Sequence, residues 1–188
     1  MSNIVLKGST SGDVTIAVPA EAGSNTLTIP ASTGEMLTTV NPKPGNIIQV
    51  VSNLDTTNGS SFTTTSTSYV TNSVLPTLAI TPSASNSKIY VSAYIGMQHD
   101  ATGQVENTIY RIISGGATTE LSGANTYGLV FKGGSNAEWG YAGVQFVDSP
   151  STTSAVTYTW YSRSEGGQSI TPRHFGSTVG ITLMEIAV

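Results

Sequence analysis

Residues 88–97 alternate without a break. Ile89, Val91, Ala93, Ile95 and Met97 are apolar, and Tyr90, Ser92, Tyr94 and Gly96 stand between them. A period of two puts the first set on one face of a pleated strand and the second on the opposite face. This purely apolar face marks a central core strand, with most of the chain beyond Pro44 expected to fold around it.

The rest of the chain is written in the same idiom. Val, Ile, Thr and Tyr recur throughout, which favours strands. Further strands are expected at 47–51, 61–70 (a Thr/Ser-rich, exposed ribbon), 75–80, 108–113, 118–121, 127–131, 139–147, 155–161 and 179–188. Turn-forming clusters separate them at 55–60, 81–87, 114–116, 132–134, 148–151 and 164–168. Residues 98–106 are polar and read as a loop. No segment carries a capped apolar stripe of helical period. The expected fold is all-β: a short N-terminal β arm followed by a jelly-roll-like antiparallel β-sandwich.

Residues 1–40 differ from the remainder. Val14, Ile16 and Val18 alternate up to Pro19, and Leu27 and Ile29 alternate up to Pro30, giving a repeat eleven residues apart. Each unit has too few apolar groups to bury a core of its own, so it needs neighbours. With only two units present, other chains are expected to supply them; a loose tail is the alternative. Pro42 and Pro44 block regular pairing and favour an extended linker. The organisation is thus an attachment arm (1–40), a linker (41–46) and a sandwich domain (47–188).

Charged residues make up 10% of the 188, well below the ~25% usual for globular proteins. A polar surface with few charges suits packing against copies of the same chain, because little charge must be desolvated. The net charge is -4 and the seven Lys and Arg are scattered, which argues against a nucleic-acid partner. Without cysteine there are no disulfides or thiolate metal sites. The first twenty residues lack the features of a signal peptide, and no run approaches the ~18 apolar residues of a membrane helix, so no leader and no membrane insertion are expected.

Few residues offer chemistry. His99 and His174 with Glu106 form a conceivable metal set, but nothing in their spacing favours it over ordinary loop or interface roles. Acid pairs for glycoside hydrolysis can be drawn from Glu106, Glu120, Glu138, Asp148 and Glu165, as on any β surface. There is no Gly-x-Ser-x-Gly elbow, and Gly115-Gly116 and Gly133-Gly134 read as turns. No catalytic residues, metal or cofactor are expected. Trp139, Tyr141, Trp160 and Tyr161 are aromatic enough for a carbohydrate platform, but core or interface packing is the commoner use.

Three segments taken together carry a resemblance: TPSASNSKIYV at 81–91, FVDSPSTTSAVTY at 146–158 and ITLMEIAV at 181–188. They resemble the C-terminal β domains of tailed-bacteriophage virion proteins of marine and cyanophage type, found on tail fibres and as head-decoration or head-fibre proteins. GSTSGDVTI at 8–16, running on to LTIPASTG at 27–34, looks like a short module of phage fibre proteins. The resemblance implies a non-enzymatic, usually trimeric protein of the virion surface.

On that basis the first expectation is a capsid decoration (cement) or head-fibre protein on the phage major capsid protein. Val14, Ile16, Val18, Leu27 and Ile29 would dock and trimerise it, and Tyr90 and Tyr94 would lie at a subunit interface. The second is a tail-fibre or adhesin tip, attached to a tail or baseplate protein. It would touch a host glycan through loops 98–106, 133–139 and 163–174, with His99, Trp139, Arg173 and His174 as contacts. A depolymerase is the third, enzymatic alternative.

Overall fold

The computed structural model describes residues 4–17, 23, 24, 26, 42–57, 60–99, 103–123, 125–134, 136–174 and 176–188. The chain divides into two compact units, Met1–Met36 and Leu37–Val188. The expected boundary at residue 40 lies outside the described residues.

In the first unit, β1 (Ile4–Lys7) pairs antiparallel with β2 (Asp13–Ile16), matching Ile4 with Ile16, Val5 with Thr15, Leu6 with Val14 and Lys7 with Asp13. The Gly8 N–H donates to the Gly12 carbonyl at 2.9 Å to close the turn. Gly12 sits there at φ 78, a left-handed conformation that a side chain disfavours. Directly paired residues share a face. Ile4, Leu6, Val14 and Ile16 therefore form one wholly aliphatic face, and all four are exposed. The other face carries the Lys7–Asp13 ion pair at 2.9 Å. Val14 and Ile16 lie on a strand as expected, whereas Val18, Leu27 and Ile29 lie outside the described residues.

The second unit contains β3 (Ile47–Asp55), β4 (Phe62–Thr64), β5 (Thr77–Ile80), β6 (Lys88–His99), β7 (Gln104–Ile113), β8 (Thr118–Glu120), β9 (Val130–Gly133), β10 (Glu138–Asp148), β11 (Val156–Ser164), β12 (Ile170–Arg173) and β13 (Val179–Ile186). One sheet runs β3-β13-β6-β10. Beyond the end of β13, β12 takes its place beside β6 and pairs with β4. The other sheet runs β5-β11-β7, and β8 and β9 share the outer edge of β7. Counting β8 and β9 as one interrupted strand leaves eight principal strands besides β4 and β12. The first, eighth, third and sixth form one sheet; the second, seventh, fourth and fifth form the other. That is the order of a jelly roll, and the chain is an all-β antiparallel sandwich as expected.

Strand β6 is the core strand its alternation predicts. Ile89, Val91, Ala93, Ile95 and Met97 are buried, packed with Ala142, Val144, Ile181 and Leu183 of the same sheet and Val105, Ile109, Val156, Tyr158 and Trp160 of the other. Full burial of side chains of this size is worth about 1.5–3 kcal/mol each. Polar side chains tie strands together within and between the sheets. Asn107 Oδ1 accepts from Trp160 Nε1 at 3.0 Å and Ser162 Oγ at 2.7 Å, while its amide nitrogen reaches Met97 Sδ at 3.4 Å. Asp148 accepts from Arg111 at 2.8 Å and from the Tyr158 hydroxyl at 2.8 Å. Residues 43–46 form a turn pinned to the sandwich, with Gly45 N–H donating to the Ala187 carbonyl at 2.8 Å.

Three expectations need correction. The strand read at 127–131 with a turn at 132–134 is displaced along the chain: β9 spans Val130–Gly133, because Lys132 and Gly133 continue the pairing with Val105 and Gln104. The loop read at 98–106 is much shorter: Gln98 and His99 end β6, and Gln104 to Glu106 begin β7. Polarity misled here: His99 and Glu106 are buried, and Gln98 and Gln104 half-buried, within paired strands. The ribbon read at 61–70 is strand only over Phe62–Thr64; Val70 makes a single bridge to Ser162.

Candidate functional site

The jelly-roll order decides which connections meet. Register places Ile47, Ile186, Lys88 and Asp148 at one end of the first sheet, and Asp55, Val179, His99 and Glu138 at the other. The strand ends that open onto 56–76, 100–103, 134–137 and 165–178 are all at this second end. The three predicted contact loops are therefore neighbours: His99 pairs with Glu138 on one side and Ile170 on the other.

On the outer face of β6 and β10 at that end, Trp139 pairs with Gln98 and Tyr141 with Gly96. Alternation that sends Ala142 and Val144 inward sends Trp139 and Tyr141 outward, 70% and 71% exposed. The connection after β12 folds over Gly96 as a turn. The His174 N–H donates to the Gly96 carbonyl at 3.0 Å, and the Ser177 N–H and Oγ donate to the His174 carbonyl at 3.0 and 2.6 Å. A Cβ on Gly96 would stand 2.4 Å from Ser177 Cβ, so only glycine lets the turn come this close. The docked turn brings His174 against Trp139, ring centroids 4.5 Å apart and planes at 33°. The result is a shallow cleft of about 210 Å³ lined by Trp139, Tyr141, His174 and Ser177 with glycines between them.

The cations at this end are spent on structure. Arg173 is fully buried. It donates to Asp55 Oδ2 at 2.6 Å and to the Val74 and Thr57 carbonyls at 2.7 and 3.2 Å. The Arg173 hydrogen bond, then those from Thr57, hold the Asp55 carboxyl well below the usual carboxylate range. Arg163 pairs with the buried Glu106 at 2.6 Å and lies 4.6 Å over the Tyr69 ring. Burial pushes the Tyr69 phenol up to about 12. Lys132 crosses from β9 to Glu138 at 2.6 Å, a bond that holds the Glu138 carboxyl below its ordinary value.

No protein-family model matches the chain, and no curated protein matches it. Solved structures give distant similarities. The CBM22-1 xylan-binding domain of Paenibacillus barcinonensis Xyn10C has a TM-score of 0.35 and 14% identity, covering 78% of this chain and 98% of that one. A chain of the infectious bursal disease virus Gx strain gives 0.37 and 12%, covering 87% of this chain and 43% of that one. The VP2 subviral particle of the same virus gives 0.35 and 12%, with 74% and 42% covered.

Of the four predicted receptor contacts, Trp139 and His174 share the cleft. His99 and Arg173 do not reach the surface: both are fully buried, on β6 and β12. Sequence reading placed them in loops because polar residues flank them, and missed that strand pairing and the Asp55 partner would bury them. Tyr141, read only as one of four candidate aromatics, is the second wall of the cleft; Trp160 is core and Tyr161 packs on Tyr110 at 4.2 Å. Tyr94 lies over Gly180, its paired neighbour, and remains 39% exposed, while Tyr90 is half-buried beside Met184 and Val147. Four of the five acids weighed for catalysis are engaged elsewhere: Glu106 with Arg163, Asp148 with Arg111, Glu138 with Lys132, and Glu120 with Ser122 and Tyr110. Among the described residues no group of three His, Asp or Glu is placed to hold a metal ion.

Proposed function

We propose that the chain is a non-enzymatic virion surface protein of a tailed bacteriophage, a trimeric capsid decoration or head-fibre protein docked by its N-terminal ribbon onto the major capsid protein. The observation that carries this reading is the aliphatic face of the β1–β2 ribbon. A lone two-stranded hairpin is marginal in water, and Ile4, Leu6, Val14 and Ile16 remain exposed on it. Covering each is worth on the order of 1–2 kcal/mol, so copies or capsid that bury this face gain enough to hold the protein. Within the sandwich, Gly45 is bonded beside Ala187, at the end opposite the aromatic cleft. Tyr94, with exposed Leu54 and Val50 on the same sheet face, supplies a second contact between copies.

The test is occupancy. Replacing Leu6, Val14 and Ile16 by Ser in the assembling phage is expected to empty the protein from the particle while the sandwich still folds. Unchanged occupancy in an image reconstruction would reject the docking role.

A second reading, a tail-fibre or adhesin tip, is favoured by the exposed Trp139 and Tyr141. It expects few copies, at the tail, and binding of the purified chain to host cells.

A further inference from the structure

We propose that the Trp139–Tyr141 cleft takes the ring of a neutral pyranose. The proposal rests on the second reading above, that this end of the sandwich contacts a glycan, and it names the class of sugar.

Shape comes first. A pyranose presents a patch of C–H groups on one face and hydroxyls around its rim. Such a ligand is held by a flat aromatic surface that removes the C–H face from water, with a few polar groups at the edge. The cleft has both parts. Trp139 is a large ring, 70% exposed, and it is not free to swing because His174 backs it at 4.5 Å. His174 is itself fixed by its backbone bond to Gly96. Tyr141, two residues along the same strand face, stands about 7 Å further on, with its phenol available at the rim. Between the two walls the lining is Gly96, Gly140 and Gly176, with Ser177 and Met97 beside them, so the floor beside Trp139 is built mostly of small residues. A cleft of about 210 Å³ falls below the ~300 Å³ lower bound for drug-sized ligands and suits one sugar ring.

Charge then selects among sugars. An acidic saccharide needs a cation or a set of free backbone donors to replace the water around its carboxylate or sulfate. Lys132, Arg163 and Arg173 are the described cations at this end, and each already pairs with Glu138, Glu106 or Asp55. Glu165, on the same set of connections, adds negative charge. The described cations at this end are thus already engaged by carboxylates, and the surface is suited to neutral rings.

The experiment uses the full chain and two readouts. Trp139 and Trp160 are the two tryptophans, and Trp160 is buried, so acrylamide quenching reports on Trp139. Saturation-transfer NMR reports contact with the sugar directly. The probes are methyl β-galactopyranoside, methyl β-glucopyranoside, glucuronic acid and sialic acid, at millimolar concentration as expected for so small a ligand. Neutral glycosides are expected to protect Trp139 and show saturation transfer from their ring C–H protons, with the acidic sugars about tenfold weaker. Trp139→Ala and Tyr141→Ala should each abolish or sharply reduce the transfer while leaving the thermal transition in place. Equal or tighter binding of the acidic sugars would overturn the proposal and leave the glycan reading standing. No transfer from any probe or from neutral host polysaccharide would overturn both. A drop in oligomeric mass on Trp139→Ala, seen by sedimentation, would instead assign the cleft to a contact between copies and overturn the proposal.

Discussion

Arg173 is the residue whose replacement tests this fold most sharply. Arg173→Met keeps most of the buried stem and removes the guanidinium, so the cavity contribution stays small. Three acceptors lose their donor: Asp55 Oδ2 at 2.6 Å, the Val74 carbonyl at 2.7 Å and the Thr57 carbonyl at 3.2 Å. Each buried acceptor left unpaired costs about 1–3 kcal/mol. Asp55 is 34% exposed and Thr57 is exposed, so water recovers part of their shares. The expected loss at neutral pH is about 3–4 kcal/mol, a large part of the ~5–15 kcal/mol that holds a domain together. Urea unfolding followed by Trp160 fluorescence measures it. The pH dependence has a definite sign. The Asp55 carboxyl is held low by Arg173 first and Thr57 next, so its contribution is fully present above its unfolded pKa of about 3.9. It is lost as the pH falls through the lower folded value. The gap between wild type and Arg173→Met should therefore be constant from neutrality to about pH 5 and shrink below about pH 4. A gap under about 1 kcal/mol, within the range of ordinary surface changes, would refute the structural role and return Arg173 to the surface contact its sequence context suggests.

Asn107→Leu should cost about 3 kcal/mol in the same assay, because Trp160 Nε1 and Ser162 Oγ lose their shared acceptor inside the core. Gly96→Ala should cost about 1–3 kcal/mol by overpacking and loosen the turn at Ser177, seen as faster amide exchange there. Burial raises the phenol of Tyr158, aided by Asp148, and takes Tyr69 to about 12. A raised folded pKa gives stability that is present below the unfolded value of about 10 and lost as pH rises past it. Phenolate absorbance of these two tyrosines should therefore appear together with alkaline unfolding and not before it; a graded titration in the folded state would contradict their burial.

Sequence resolved the sandwich where one face of a strand is dry and the other is not. Alternation at 88–97, 139–147 and 155–161 located β6, β10 and β11 because the code for a half-buried strand is local. It failed where burial is arranged by partners far along the chain. Glu106 and Arg173 look like loop residues by type, yet Arg163 lies 57 residues from the first and Asp55 118 residues from the second. Nothing in the immediate neighbourhood announces either pair. The cleft was half legible for the same reason. Trp139 and Tyr141 share a strand face by simple parity, but which face turns outward, and that the turn after β12 would brace Trp139 with His174, depends on Gly96 in a strand forty residues away. In the ribbon, Val14 and Ile16 stood out by alternation; their partners Ile4 and Leu6 flank Val5, and the continuous apolar run Ile4-Val5-Leu6 shows no alternation.

The exposed aromatics and the buried ion pairs at the loop end bear on each other. The connections there are held by Arg173 to Asp55, Thr57 and Val74, by the Ser177 turn on Gly96, and by Val70 and Ser162, which exchange backbone bonds at 2.9 Å. None of these staples uses the Trp139 or Tyr141 side chains. Removing two rings that are 70% and 71% exposed should cost little: about 0.5 kcal/mol for Tyr141, as at other surface positions, and about 0.5–1.5 kcal/mol for Trp139, which also loses its stack on His174. A tryptophan that contributes so little to the fold while presenting a bare apolar ring to water is a liability for solubility. It is braced by His174 all the same. Under the proposed contact with a sugar, such bracing lowers the entropy lost on binding.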